Sequence, residues 1–407
     1  EVNLVNILFI TNLFPFFGNK TSGAFITHRL KSLKRLGIDF TVYALSAQDD
    51  LLMRILLKVL GIKPVVVPDA PLNVDGVTYN YVTFNRKLLN MVYDEILKGK
   101  KYVKYSKKVV EQILDKNEEK KFDLIHAHGM YNFIPSGLVA MELSKKYNIP
   151  FVVTLHGSDI NYRMNWRKDL YLNVLENAAK CIFVSNGLLN KAKSYGYSGK
   201  NAVVIPNGYD SEIFKPMDKD QIRKELGIYK EGYKYVGYVG NLIYVKRADK
   251  LPEIFKYIHQ KIPNTKFIVV GDGKYRNKLE KATHGLDIHF TGMLPQTEVP
   301  KWMNAMDVMI LPSRNEGFPT VVNEAQGCGT PVVGSSNGGI PEAIGNGGIV
   351  VEDGKDFEKR FAKAVVNMLA NPIDRDLLVR KAIKYSWENI VNLELNVYQE
   401  ILGDKLL

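Results

Sequence analysis

Apolar runs of three to six residues recur along the chain, separated by longer stretches in which apolar residues return every three or four positions. A run apolar on every residue fits a strand covered on both faces, and the three-to-four spacing fits an amphipathic helix. Strands are therefore predicted at 6–11, 40–45, 122–126, 151–155, 181–184 and 202–205, and helices at 24–36 and 51–60. Pro206-Asn207-Gly208 breaks this series, a polar stretch follows, and a second series places strands at 235–239, 267–270, 288–291, 308–311, 331–333 and 349–351. Strand–helix alternation of this kind predicts an α/β protein with two Rossmann-like, doubly wound parallel-sheet domains facing across a cleft. The expected domains are 1–206 and 207–386, with the helical segment 387–407 returning to pack on the first.

The strand at 308–311 leads into LPSRNEGFPTVVNEAQGCGTPVV, which places Glu316 before a helix start and Glu324 inside the helix. Pro319 suits the first helical position, where its missing N–H costs nothing. The free amides and dipole of that first turn, Phe318 to Val322, would accept an anion such as phosphate. Two acids flanking an anion cradle suit a ligand with hydroxyls at both ends and phosphate in the middle, as in a nucleotide-sugar. A surface acid and a helix-face acid beside an ordinary turn would leave the same pattern.

Four other positions stand at expected carboxyl edges of strands, where doubly wound sheets bind ligands. The loop after the first strand ends in Gly23, which would let a phosphate approach backbone, although loop glycines also serve as simple turn residues. His126-Ala127-His128 and His156-Gly157-Ser158-Asp159 end two parallel strands of the first sheet. No third ligand arrives at metal spacing, so no metal is expected. In the second sheet Lys246 and Arg247 follow Gly240-Asn241-Leu242, where a cation facing the anion cradle would complete a diphosphate clamp. Solvated surface charge is the plainer alternative.

Composition narrows the class. A chain of 407 residues with 46% hydrophobic content can bury two cores. Cys181 and Cys328 are the only cysteines and lie in apolar segments, which fits a reducing cytoplasm. The apolar start VNLVNILFITNLFPFF lacks a basic leader and a small-residue cleavage site, so it is expected to be a strand and loop. Net charge is +12, concentrated between Arg86 and Lys108, where eight Lys/Arg face only Asp94 and Glu95. Residues 51–60, LLMRILLKVL, carry Arg54 and Lys58 on one helical face, the pattern of an interfacial helix as well as of a core helix with two solvated charges. Together these segments could dock on anionic lipid at the cytoplasmic face of a membrane. No recognised nucleic-acid motif accompanies the charge.

The combined motifs resemble the retaining glycosyltransferases of GT-B architecture in glycosyltransferase family 4. The matching stretches are TLHGSDI, IPNGYDSEIFKP, GYVGNLIYVKRADKL, VVGDG, FTG and EGFPTVVNEAQGCGTPVV, with Glu316 and Glu324 eight apart. The resemblance implies transfer of a hexosyl unit from a UDP- or GDP-sugar to an acceptor hydroxyl with retention of configuration, without a cofactor or metal. It implies that Glu324 holds the ribose, that Glu316 holds a sugar hydroxyl, and that the backbone of Gly317, Phe318, Pro319, Thr320 and Val321 holds sugar and diphosphate. Lys246 would bind diphosphate, His156 would lie near the donor sugar, and His128 would line the first-domain side of the cleft. Many relatives carry Arg where this chain has Asn241 and Gly where it has Arg247; Arg247 or Arg276 could supply the missing charge. A lipid-linked or cell-envelope glycan acceptor is expected. A non-catalytic nucleotide-sugar sensor and a related sugar epimerase are the alternatives.

Overall fold

The computed structural model describes residues 5–16, 22–61, 70–89, 100–117, 120–131 and 134–403. The chain divides into two compact units, one formed by residues 1–205 and 391–407 and the other by 206–390.

The first unit holds an eight-stranded sheet in the order β3-β4-β2-β1-β5-β6-β7-β8. Its strands are β1 (Asn6–Thr11), β2 (Asp39–Asp49), β3 (Leu72–Val74), β4 (Val77–Arg86), β5 (Leu124–His128), β6 (Phe151–Leu155), β7 (Lys180–Phe183) and β8 (Ala202–Val204). All pairs are parallel except the β3–β4 hairpin. The hairpin strands are an addition to the predicted set. Val77, Tyr79 and Tyr81 are buried in alternation with Thr78 and Asn80, a period-2 pattern masked in the sequence by the basic run that follows. Residues 90–99 of that run lie outside the described residues.

The second unit holds a six-stranded parallel sheet, β11-β10-β9-β12-β13-β14. These strands are β9 (Lys234–Val239), β10 (Thr265–Val270), β11 (Ile288–Gly292), β12 (Val308–Leu311), β13 (Val332–Ser335) and β14 (Gly348–Val351). Every β10 residue is buried, and Phe267 meets Phe255 of the helix Leu251–Lys261 at 4.5 Å between ring centres. Burying such a ring contributes about 1.5–3 kcal/mol. The same core takes Phe357, Phe361 and Val365 from the helix Phe357–Ala370, one face at helical spacing.

Each sheet winds outward in two directions from its first long strand. The reversal falls between β1 and β5 in the first sheet and between β9 and β12 in the second, so the loops leaving those strand pairs diverge and open a crevice at the carboxyl edge. The chain crosses from the second unit to the first along the final helix, Trp387–Leu402.

Candidate active site

In the second unit the loops after β9 and β12 meet at the winding reversal. The β9 loop turns through Tyr244–Lys246 and Ala248–Lys250, with Arg247 between them at φ 57°. It delivers Lys246 so that Nζ lies 2.5 Å from Oε1 of Glu316 on the β12 loop. The Glu316 carbonyl accepts from Gly339 N–H at 3.1 Å, and a Cβ at Gly338 would meet that carbonyl oxygen at 2.1 Å. Glycine at 338 is therefore what lets the 337–339 turn close over Glu316.

The helix after Glu316 spans Thr320–Gly327. Pro319, predicted at the first position of this helix, instead precedes it as the cap residue with an extended ψ of 102°. The Phe318 ring is buried and lies 5.7 Å from that of Tyr385. Gly317, Phe318, Pro319, Thr320 and Val321 surround the helix start. Glu324 sits in the second turn, only partly accessible. Burial raises its carboxyl to about 7, with a Thr320 hydrogen bond opposing the rise and Asp210 adding to it.

Arg247 and Arg276, the two candidates for the charge missing at Asn241, both have protein partners. Arg247 is buried, places Nη2 2.6 Å from Asp353 Oδ2, and stacks 3.9 Å over the Phe357 ring. Burial acts to raise the Asp353 carboxyl, but Arg247, Asn337 and the Gly354 amide outweigh it and hold it down at about 2. Arg276 pairs with Glu280 at 2.5 Å and lies over Phe290. The Asn241 side chain is exposed, and the Asn241 backbone carbonyl accepts from the Tyr238 hydroxyl at 2.9 Å.

In the first unit the histidines form a stack along the sheet. β5 runs two residues further than predicted, so His126 and His128 lie inside it, on one face. His128 pairs in register with Thr154 of β6, and His156 follows just beyond that strand. The ring centres of His126 and His128 are 4.3 Å apart and those of His128 and His156 are 5.5 Å apart, with His128 Nδ1 3.3 Å from His156 Nε2. Burial, followed for His128 by His126 and Arg29 and for His156 by Arg29 and His126, pushes both imidazoles well below their ordinary value. Among the described residues, neither His128 Nε2 nor His156 Nδ1 has a hydrogen-bond partner. Asp159 fixes the turn that carries His156 by accepting from the amides of His156, Gly157 and Ile160 at 2.8–3.0 Å.

His126 is anchored from the final helix. The Tyr398 hydroxyl donates to Glu394 at 2.5 Å, so its oxygen accepts from His126 Nδ1 at 2.6 Å, while His126 Nε2 is 2.7 Å from the Thr154 hydroxyl. His126, His128 and Glu394 offer three potential metal ligands close together. Both His126 nitrogens, however, have protein partners, and Arg29 sits on the carboxylate, an arrangement that suits an ion pair and not a cation site. Gly23 has φ 66° at the start of the helix Ala24–Arg35, and a Cβ there would meet the Leu13 carbonyl group at 2.8 Å, so packing within the first unit by itself demands glycine.

Sequence reasoning did not find Asp249, Arg314, Glu394 or Tyr398. Each acts through a partner far away in sequence, and only the Asp249–Lys250 and Arg314–Glu316 neighbourhoods gave a local hint.

The two doubly wound domains, with paired charges at the reversal of the second sheet, define a two-domain glycosyltransferase fold. The chain is structurally similar to Anabaena HepE solved in complex with UDP, with a TM-score of 0.71, 20% identity, and coverage of 97% of this chain and 100% of that one. Residues 23–213 match the family described as Glycosyltransferase Family 4, and 233–371 that described as Glycosyl transferases group 1. An uncharacterized glycosyltransferase of Methanocaldococcus jannaschii is 30% identical over 77% of this chain and 84% of its own length. A Bacillus subtilis glycosyltransferase named for teichuronic acid biosynthesis is 29% identical over 84% and 83%. The protein belongs to glycosyltransferase family 4, group 1.

Proposed function

We propose that the protein transfers a hexosyl unit from a UDP- or GDP-sugar to an acceptor hydroxyl with retention of anomeric configuration and without a metal. The observation that carries this reading is the Lys246–Glu316 pair at the mouth of the Thr320–Gly327 helix, with Glu324 one turn deeper. Cleavage of the bond from the anomeric carbon to the diphosphate builds negative charge on the departing phosphate. Lys246 and the helix-start amides stabilise that charge electrostatically. Glu316 orients the sugar, and Glu324 accepts from the ribose hydroxyls. The UDP complex of HepE supports a uridine donor. Arg247, paired with Asp353 and stacked on Phe357, stays in place, and Lys246 carries the diphosphate contact.

The acceptor in this reading is a lipid-linked or cell-envelope glycan, in keeping with the teichuronic acid name of the Bacillus subtilis relative. It is met at an anionic membrane surface. The helix Leu51–Val59 leaves Leu51 and Val59 73% and 79% exposed, with Arg54 and Lys58 on the same short element. No described helix is long and apolar enough to cross a membrane.

The test is transfer and donor hydrolysis with UDP- and GDP-sugars by wild type and Glu316→Ala. Transfer by the wild type that is lost in a folded variant is the expected result. Full transfer by Glu316→Ala removes that residue from the site, and a wild type that binds donor without turnover makes the protein a sensor.

A further inference from the structure

Lys246 and Glu316 lie 70 residues apart, on loops that leave neighbouring strands. One residue ties those loops together. Arg314 Nη1 and Nη2 form a two-pronged bond to Asp249 Oδ1 and Oδ2 at 2.7 and 2.8 Å. Its Nη1 also donates to the Tyr244 carbonyl at 2.5 Å, and the guanidinium lies 3.9 Å over the Tyr244 ring. The Arg314 amide donates to the Val245 carbonyl at 2.8 Å. All of these contacts run from a residue two before Glu316 to the two turns of the loop that carries Lys246. A planar fork held on a carboxylate and a ring fixes orientation as well as distance, which a lysine at the same place would not do.

We propose that Arg314 and Asp249 are positioning residues that set the separation of Lys246 and Glu316, and so the spacing between the phosphate-binding and sugar-binding charges. The proposal rests on reading those two residues as donor contacts. An exposed ion pair contributes little, and its loss leaves a site untouched. A clamp on two catalytic loops behaves differently, because a displacement of about 1 Å at a reacting group costs up to about a hundred-fold in rate.

Arg314→Met keeps the stem over Tyr244 and removes the fork, while Asp249→Asn keeps the shape and removes the charge. Both variants and the double variant are measured for nucleoside diphosphate affinity by calorimetry, for donor KM and kcat, and for thermal midpoint. The expected result is a loss of about ten-fold or more in kcat/KM for each single variant, with the double variant no worse than the more damaged single. Weaker UDP or GDP binding should accompany it. Singles that lower the midpoint but keep kcat and donor KM within about two-fold overturn the proposal, as do two losses that multiply. A wild type that binds neither nucleotide sinks the donor-site reading itself, and that outcome is distinct from unaltered binding by the variants.

Discussion

Arg29 Nη1 and Glu394 Oε2 lie 3.2 Å apart with neither side chain exposed, although one is on the first helix and the other on the last. Burial acts to raise the Glu394 carboxyl, but the Arg29 charge and the hydrogen bonds from His126 and Tyr398 outweigh it and hold it at about 2. A carboxyl whose folded value is depressed adds stability above its unfolded value of 4.5 and loses it as pH falls towards 2. Glu394→Gln leaves Arg29 buried without its counter-charge and should cost about 3–5 kcal/mol at neutral pH. Denaturant unfolding at pH 7 and pH 3 measures this, and the gap between wild type and variant should narrow at the lower pH.

Glu324 has the opposite sign. Its folded value near 7 exceeds its unfolded value of 4.5, so the buried charge opposes folding, and the penalty grows as pH rises from 4.5 to 7 and stays full above it. Glu324→Gln should raise the thermal midpoint at pH 8 and leave it nearly unchanged at pH 4. Donor KM of the wild type should rise as pH falls below 7, because a protonated carboxyl accepts fewer hydroxyls, and this trend should vanish in the variant.

The Lys246–Glu316 pair predicts a split between nucleotide and nucleotide-sugar. Glu316→Ala frees Lys246, so a nucleoside diphosphate should bind at least as tightly as to wild type while transfer is lost. Lys246→Ala should weaken that nucleotide by about ten-fold or more, the scale of a hydrogen bond to a charged group. Calorimetry with UDP and GDP distinguishes the two.

The exposed apolar face of Leu51–Val59 predicts flotation with anionic liposomes at low salt. Leu52→Glu with Ile55→Glu should abolish it without lowering the thermal midpoint, because both residues are about half exposed. Flotation of the double variant at the wild-type level removes this helix from the interface.

Hydrophobic patterning was sufficient for the class of fold. β1, β6 and β12 have the bounds expected from their apolar runs, because a strand covered on both faces reads as a nearly continuous apolar run. The β3–β4 hairpin escaped because its period-2 pattern runs straight into the basic stretch that starts at Arg86. Glu316, Glu324 and Lys246 were legible as chemistry, since charged residues at the carboxyl ends of strands stand where a doubly wound sheet opens. The link between them was not. Lys246 meets Glu316 only because β9 and β12 are neighbours at the winding reversal, and Arg314 meets Asp249 for the same reason.

The sequence by itself determined the α/β class and most of its strands, because these depend on local residue type and spacing, and it marked Glu316, Glu324 and Lys246 as candidates for phosphate and sugar contacts. The tertiary structure alone decided the long-range partners: Asp353 for Arg247, Arg314 for Asp249, and Glu394 with Tyr398 for His126. Ion pairs and hydrogen bonds act over a few ångströms in space, and no pattern along the chain encodes which distant loop or helix the fold brings within that reach.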